Sequence, residues 1–232
     1  MQRRIWLLAG ALGTSGLLRP VWAAPGFTRL AAVDPPYEER YEVLVAMAPP
    51  LARGMIGKAL GRIVTEADEN WKSDRLTALL DPQRTRLHEY FVRELAAGLA
   101  AAGVRVVLVP VGPVRDEATL LREVRDLSRS ADAVMLANVQ ARFVAVTGLA
   151  AYQPWVMIGV RVVSPDGARV LLERIYSAGF LGIDPRAENV DVDLPQRFDN
   201  FDALMAQPDA ARQALEQAVE AIAERAAQTL LG

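Results

Sequence analysis

The sequence predicts an α/β protein built on a single mixed sheet. Parallel crossovers come first, an antiparallel β-meander follows, helices pack on the sheet, and the chain ends in a C-terminal amphipathic helix. Three observations carry this prediction. Strand-like and helix-like segments alternate from Tyr41 to Ser130. Two strands are joined by the turn Ser164-Pro165-Asp166-Gly167. The C-terminal segment carries an apolar stripe with helical spacing. Crossovers through helices make neighbouring strands parallel, and a tight turn makes them antiparallel.

The elements follow in order. Residues 24–40, with Asp34-Pro35-Pro36 and Glu38-Glu39-Arg40, are expected to form an irregular N-terminal arm. Tyr41 to Met47 is a short strand stopped by Pro49-Pro50. Between residues 52 and 80 the pattern supports two helical pieces, Ile56–Ala67 and Asp74–Leu80. Asp81 is then an N-cap with Pro82 at the first helical position, and Gly103 follows the last turn. Leu87, Phe91, Leu95 and Leu99 recur every fourth residue on that helix, with His88 at the edge of the stripe. Val104 to Pro110 is predicted as a buried strand, and Asp116 caps a helix with the apolar face Leu120, Val124 and Leu127.

Ala133 to Val146 is a long strand on which Asn138, Gln140 and Arg142 share one side and Val139, Ala141 and Phe143 the other. Trp155–Val163 and Ala168–Ser177 form the hairpin. Its Pro, Asp and Gly supply the fixed φ, the local side-chain hydrogen bond and the positive φ of a tight turn. An acidic loop spans residues 182–202. The final helix, opening near Asp209, has Leu215, Val219, Ile222, Ala226 and Leu230 inward and Arg212, Glu216, Glu220 and Glu224 toward water. A single α/β domain over residues 41–232 accommodates these elements.

Residues 1–23 have the order of a secretory signal peptide. Arg3 and Arg4 precede an apolar stretch from Ile5 to Leu18, and Val21-Trp22-Ala23 is a small-residue cleavage site. The stretch contains Gly10, Gly13 and Gly16 and is shorter than the roughly 20 apolar residues of a membrane span. Periplasmic export is therefore expected. General secretion is favoured over the twin-arginine route, although Arg3-Arg4 and Arg19 fit the latter. Cleavage removes Arg3, Arg4 and Arg19 and no acid, which moves the formal charge from −2 to −5. An acidic exported chain is a poor partner for nucleic acid, whose binders concentrate positive charge. With 0 cysteines there is neither a disulfide nor a lipobox residue, so no N-terminal lipid anchor is expected. No membrane span is expected either, because Gly103, Arg105, Pro110 and Pro113 break the most apolar later window.

Residue supply restricts the chemistry. His88 is the 1 histidine, so histidine zinc sites are excluded, as are cysteine nucleophiles. A serine triad would need His88 as its base, and the mature chain has no G-x-S-x-G elbow. Gly54-Met55-Ile56-Gly57-Lys58 lacks the first glycine and the Ser or Thr of a phosphate loop. Asp184, Glu188, Asp191, Asp193, Asp199 and Asp202 crowd the acidic loop, but their spacing matches no calcium loop. No catalytic residue, cofactor or metal is assigned.

Two surfaces remain as candidates. Leu149 and Tyr152, in the connection between two strands, form a candidate partner contact. Asn138, Gln140 and Arg142 form a candidate ligand face.

The run Ala131-Asp132-Ala133-Val134-Met135-Leu136, followed by Trp155 to Gly167 and Val170 to Tyr176, has a recognisable cadence. It resembles the corresponding run in exported envelope proteins related to the TolB N-terminal domain, CsgG and the LpoB-type lipoproteins. The resemblance implies an envelope assembly or binding module without an active site, whose partner is another cell-envelope protein. It carries over no functional residues, because the matching positions are core and turn positions, and the lipoprotein cysteine is absent. The expected function is thus an exported envelope protein with a non-enzymatic binding or assembly role. The alternatives are a periplasmic hydrolase using paired carboxylates and a small-ligand binding protein.

Overall fold

The computed structural model describes residues 27–34, 39–45, 55–81, 86–112, 117–127, 130–147, 149–180 and 185–232. Residues 1–26, which include the expected signal peptide, and Gly54, Pro82, Asp116 and Asp184 lie outside the described residues. The strands are β1 (Arg29–Asp34), β2 (Tyr41–Val45), β3 (Arg105–Pro110), β4 (Ala133–Ala145), β5 (Gln153–Val163), β6 (Val170–Gly179) and β7 (Glu188–Val190). The helices are α1 (Met55–Leu80), α2 (Leu87–Ala100), α3 (Glu117–Leu127), α4 (Phe201–Met205) and α5 (Pro208–Leu231). They form one 7-stranded sheet in the order β3-β1-β4-β5-β6-β7, with β2 also paired to β4. The β1–β3, β1–β4, β2–β4 and β6–β7 pairs are parallel, and β4–β5–β6 is the antiparallel meander. This is the mixed α/β sheet that the alternation of elements predicts.

The expected arm is the largest correction. Arg29–Asp34 is an interior strand of the sheet, between β3 and β4. Leu30, Ala31, Ala32 and Val33 are all buried, because both faces of this strand are covered. β1 pairs with the start of β4 (Leu30 opposite Ala133) and β2 with its end (Tyr41 opposite Ala141), so the two lie in succession along one edge of β4. Asp132 fixes the entry: its Oδ2 accepts from the amides of Thr28 and Arg29 and from the Thr28 hydroxyl at 2.8, 3.0 and 3.0 Å. These bonds, led by that from the Thr28 amide, hold the Asp132 carboxyl below its ordinary pKa.

Glu39, a charged residue of the expected arm, is also structural. Both Glu39 oxygens accept from the first amides of α2, Leu87 N at 2.8 Å and His88 N at 2.7 Å, and so replace an N-cap side chain. Burial raises the Glu39 pKa, against the pull of those two amides and of Arg86. Glu39→Ala strands both amides, and a loss of about 1–2 kcal/mol is expected in urea denaturation.

Asp81 does not open α2. It has φ 47°, donates its amide to Thr77 O at 3.1 Å and closes α1, which is one helix of 26 residues and not two pieces. Gly103, at φ 76°, ends α2 as expected. β3 is an edge strand with alternate residues exposed, not a buried one. The Arg105 and Val111 amides point to β1, which turns position 110 outward, where the missing N–H of Pro110 breaks no ladder bond. β2 and β3 are not neighbours, because β1 separates β3 from β4.

α2 and α5, joined by Leu76 and Leu80 of α1, cover one sheet face and form the main core with Phe143, Val156, Ile158 and Tyr176. The predicted stripe Leu215, Val219, Ile222, Ala226 and Leu230 is buried there. Arg212 is not turned to water: its side chain is largely buried and its guanidinium donates to Leu80 O at 3.1 Å. A smaller core on the other face packs Leu121 and Val124 of α3 on Ala31, Val33, Val109, Val134 and Val163. The hairpin turn closes against it; Asp166 Oδ1 accepts from Ser164 Oγ and from the Ala168 amide, and Gly167 has φ 72°.

Candidate binding face

α3 covers only part of its sheet face. The register of β4, β5 and β6 places Asn138, Gln140 and Arg142 beside Gly159, Met157 and Trp155, and then Ile175, Ser177 and Gly179, on the same face. Asn138 is exposed, and Gln140, Arg142, Met157 and Ile175 are half-buried. A Cβ built on Gly159 would meet nothing within 4 Å, so the centre of this face is open. The structure therefore brings the three predicted polar residues together.

Arg142 is held within the protein. Its Nε donates to Glu42 Oε2 at 2.5 Å, its Nη2 to Gln140 Oε1 at 2.9 Å, and its guanidinium lies 4.9 Å from the Trp155 ring centroid. Cation–π contact, ion pair and hydrogen bond together fix this side chain as a rigid polar feature. Ser177, buried farther along the face, donates to Asn189 Oδ1 at 3.0 Å. Asn138 keeps its amide group for an incoming surface, and Gln140, whose Oε1 accepts from Arg142, keeps its Nε2.

Leu149 and Tyr152 part company. Leu149 is 98% exposed, whereas Tyr152 is 3% exposed. Tyr152 exchanges backbone hydrogen bonds with Phe198 at 2.7 and 3.0 Å, and its side chain joins the main core. Tyr152 is thus a structural anchor for the segment before α4, and only Leu149 can meet a partner. Trp71, which no sequence signal singled out, is 52% exposed beside Arg75 and Phe201, with the Arg75 guanidinium 4.9 Å from its ring.

His88 does not serve the surface. It is 1% exposed and neither ring nitrogen has a hydrogen-bond partner. Its Nδ1 is 3.8 Å from Asp34 Oδ1, but the Asp34 carboxylate is engaged by Arg86 Nη2 at 2.6 Å and Nη1 at 3.2 Å. Burial lowers the His88 pKa to about 4, with Asp34 opposing and Arg86 adding to the shift, so the pair is not ionic at neutral pH.

A crevice of about 110 Å³ lies between β2 and α1, lined by Arg40, Glu42, Val43, Glu69, Asn70 and Ser73 among others. It is smaller than the roughly 300 Å³ of an ordinary small-molecule pocket. Of the candidate face it shares only Glu42, the partner of Arg142. In the acidic segment, Glu188 pairs with Arg225 at 2.5 Å. Among the described residues no three His, Asp or Glu side chains are grouped to hold a metal. No described helix is long and apolar enough to cross a membrane.

No family model and no curated protein matches the chain. Among solved structures it is similar to protein XCC0632 from Xanthomonas campestris, of the DUF330 family, at 11% identity and TM-score 0.41, covering 91% of this chain and 88% of that one. It is also similar to a Helicobacter pylori protein described as a neuraminyllactose-binding hemagglutinin homolog, at 9% identity and TM-score 0.36, with 94% of each chain covered. The hypothetical protein CT253 from Chlamydia trachomatis follows at 11% identity and TM-score 0.26, covering 82% of this chain and 96% of that one. Likenesses this distant assign neither a ligand nor a partner.

Proposed function

We propose that this chain is an exported, non-enzymatic protein of the cell envelope that binds another envelope protein through the uncovered part of its sheet. Asn138 and Gln140 offer hydrogen bonds, Met157 and Ile175 offer apolar area, and Arg142 stiffens the floor. Leu149 stands at the end of the hairpin that carries them. The observation that supports this reading best is the open space above Gly159, on a face that α3 covers only at its other end. The envelope setting rests on the leader-like N-terminus and on the resemblance carried by residues 131–176.

Gly159→Tyr tests the proposal. A side chain there enters open space in a strand position, so folding is unaffected or improved by up to about 1 kcal/mol. Recovery of the partner from a native-level envelope pull-down is expected to fall at least tenfold, while the Tm is unchanged or higher. Recovery equal to the unmodified chain, or no specific partner for either chain, would overturn the reading. Leu149→Ser in the same experiment reports whether the turn shares the contact.

A further inference from the structure

The two outer strands of the described sheet differ in kind. β7 has 3 residues, and its Glu188 is tied to Arg225. A short, charged strand is a poor template for further pairing. β3 has 6 residues and is apolar from Val106 to Val109, with Arg105 and Pro110 at its ends. Arg105 N donates to Thr28 O at 2.8 Å and Val111 N to Asp34 O at 3.2 Å, so alternate positions from 105 to 111 bond to β1. Val106 and Leu108 therefore turn their amides and carbonyls away from β1. Among the described residues no strand meets them there. Val107, between them, is 49% exposed, and Arg105 and Pro110 are exposed as well.

This edge is complementary to itself. In an antiparallel pair centred on Val107, Val106 of one copy faces Leu108 of the other, and each such pair exchanges both of its backbone hydrogen bonds. Sliding to the next register in one direction sets Pro110, which has no N–H, opposite Val106. Sliding in the other direction sets Val104, whose amide already donates to Leu99 O at 3.3 Å, opposite Leu108. Of these registers, only the one centred on Val107 leaves none of the outward groups unpaired. The charges suit the same register. Arg105 is exposed, makes no ion pair among the described residues and by strand alternation shares the α3 side of the sheet with Val109. In the pair it stands opposite Val109 of the second copy. On that side Glu123 of α3 closes the end of β3 by accepting from the Gly112 amide at 3.0 Å. The two-fold axis repeats this approach of Arg105 to Glu123, and the two exposed Val107 side chains cover each other. We propose that β3 is a homodimer edge, on which two copies pair antiparallel about Val107 and continue one sheet through both. This inference is independent of the binding face proposed above, which lies on other strands.

The chain has 0 cysteines, so engineered thiols report without background. Val107→Cys sets two thiols face to face in the proposed dimer. They occupy a non-hydrogen-bonded pair with Cα atoms about 4.5 Å apart, within disulfide reach. Val170→Cys, at a valine of β6 that is 47% exposed, sets the random-collision rate. Under mild oxidation Val107→Cys is expected to form crosslinked dimer at least tenfold faster than Val170→Cys. Adding Arg105→Glu brings an acid toward Glu123 and is expected to slow that crosslinking at least threefold. In light scattering the parent is expected to have the mass of a dimer. Val107→Lys, which sets two like charges face to face, is expected to have that of a monomer with an unchanged circular dichroism spectrum. Crosslinking at the collision rate, a monomeric parent or a Val107→Lys variant that stays dimeric overturns the proposal. An edge that takes an extended segment of another protein gives the first two of these results. Crosslinking that Arg105→Glu leaves unchanged overturns this register.

Discussion

Gly179→Ala is expected to destabilise the protein by about 3–5 kcal/mol, a large part of the roughly 5–15 kcal/mol that holds a domain folded. Gly179 ends β6 at φ 92°, and a Cβ there would lie 2.1 Å from Pro154 O and 3.0 Å from Pro154 C. Both atoms are backbone, so no side-chain rotation relieves the overlap. The same carbonyl accepts the Phe180 amide at 3.1 Å, and a shift large enough to admit the methyl breaks that bond. The positive φ alone adds about 1–3 kcal/mol for a residue with a side chain. Urea denaturation would measure the loss. Gly159→Ala on the adjacent strand is the control: its Cβ meets nothing within 4 Å, and its stability is expected to stay within about 0.5 kcal/mol of the parent or above it. If the two substitutions cost the same, close approach at Gly179 is not what requires glycine.

His88 makes stability depend on pH with a defined sign. Burial lowers its folded pKa from 6.5 to about 4, so between these values the unfolded chain binds a proton that the folded protein refuses. Stability therefore rises with pH across this window and is lost as pH falls through it, by about 3 kcal/mol in total. Glu39 and Glu216 have raised carboxyl pKa values, chiefly through burial, and act in the opposite direction as they titrate. Asp132 and Asp166, with lowered values, add a loss at lower pH still. Comparing His88→Leu with the parent isolates the histidine: the variant is expected to lose about 3 kcal/mol less between pH 7 and pH 4. Parallel stability curves for the two proteins would contradict a buried neutral imidazole.

The parts of this molecule legible in the sequence are those whose signals are local. Leu87, Phe91, Leu95 and Leu99 are buried as a helical stripe, and Ser164-Pro165-Asp166-Gly167 forms its turn, because spacing and turn chemistry act within a few residues. β1 escaped because a strand buried on both faces shows no alternation, and its small Ala31 and Ala32 give little apolar signal beside Asp34-Pro35-Pro36. Asp81 misled because Asp before Pro suits a helix start and a helix stop equally well. Glu39 carries no local sign of a cap within the expected arm, since the amides it caps lie 48 and 49 residues away. The candidate face was half legible. Alternation along β4 aligned Asn138, Gln140 and Arg142, but no local signal shows which sheet face the helices leave open. Tyr152 looked like a surface residue of a connection, and only its pairing with distant Phe198 explains its burial.

The place of β1 bears on how the chain reaches its native state. The first of the described strands is wedged into the interior of the sheet, and the carboxylate that pins its entry, Asp132, lies 104 residues downstream of Thr28. A polypeptide emerging N-terminus first therefore presents this strand long before either flank exists. Folding must wait for more than half of the chain and close a long loop at an entropic cost, as expected of slow, high-contact-order topologies.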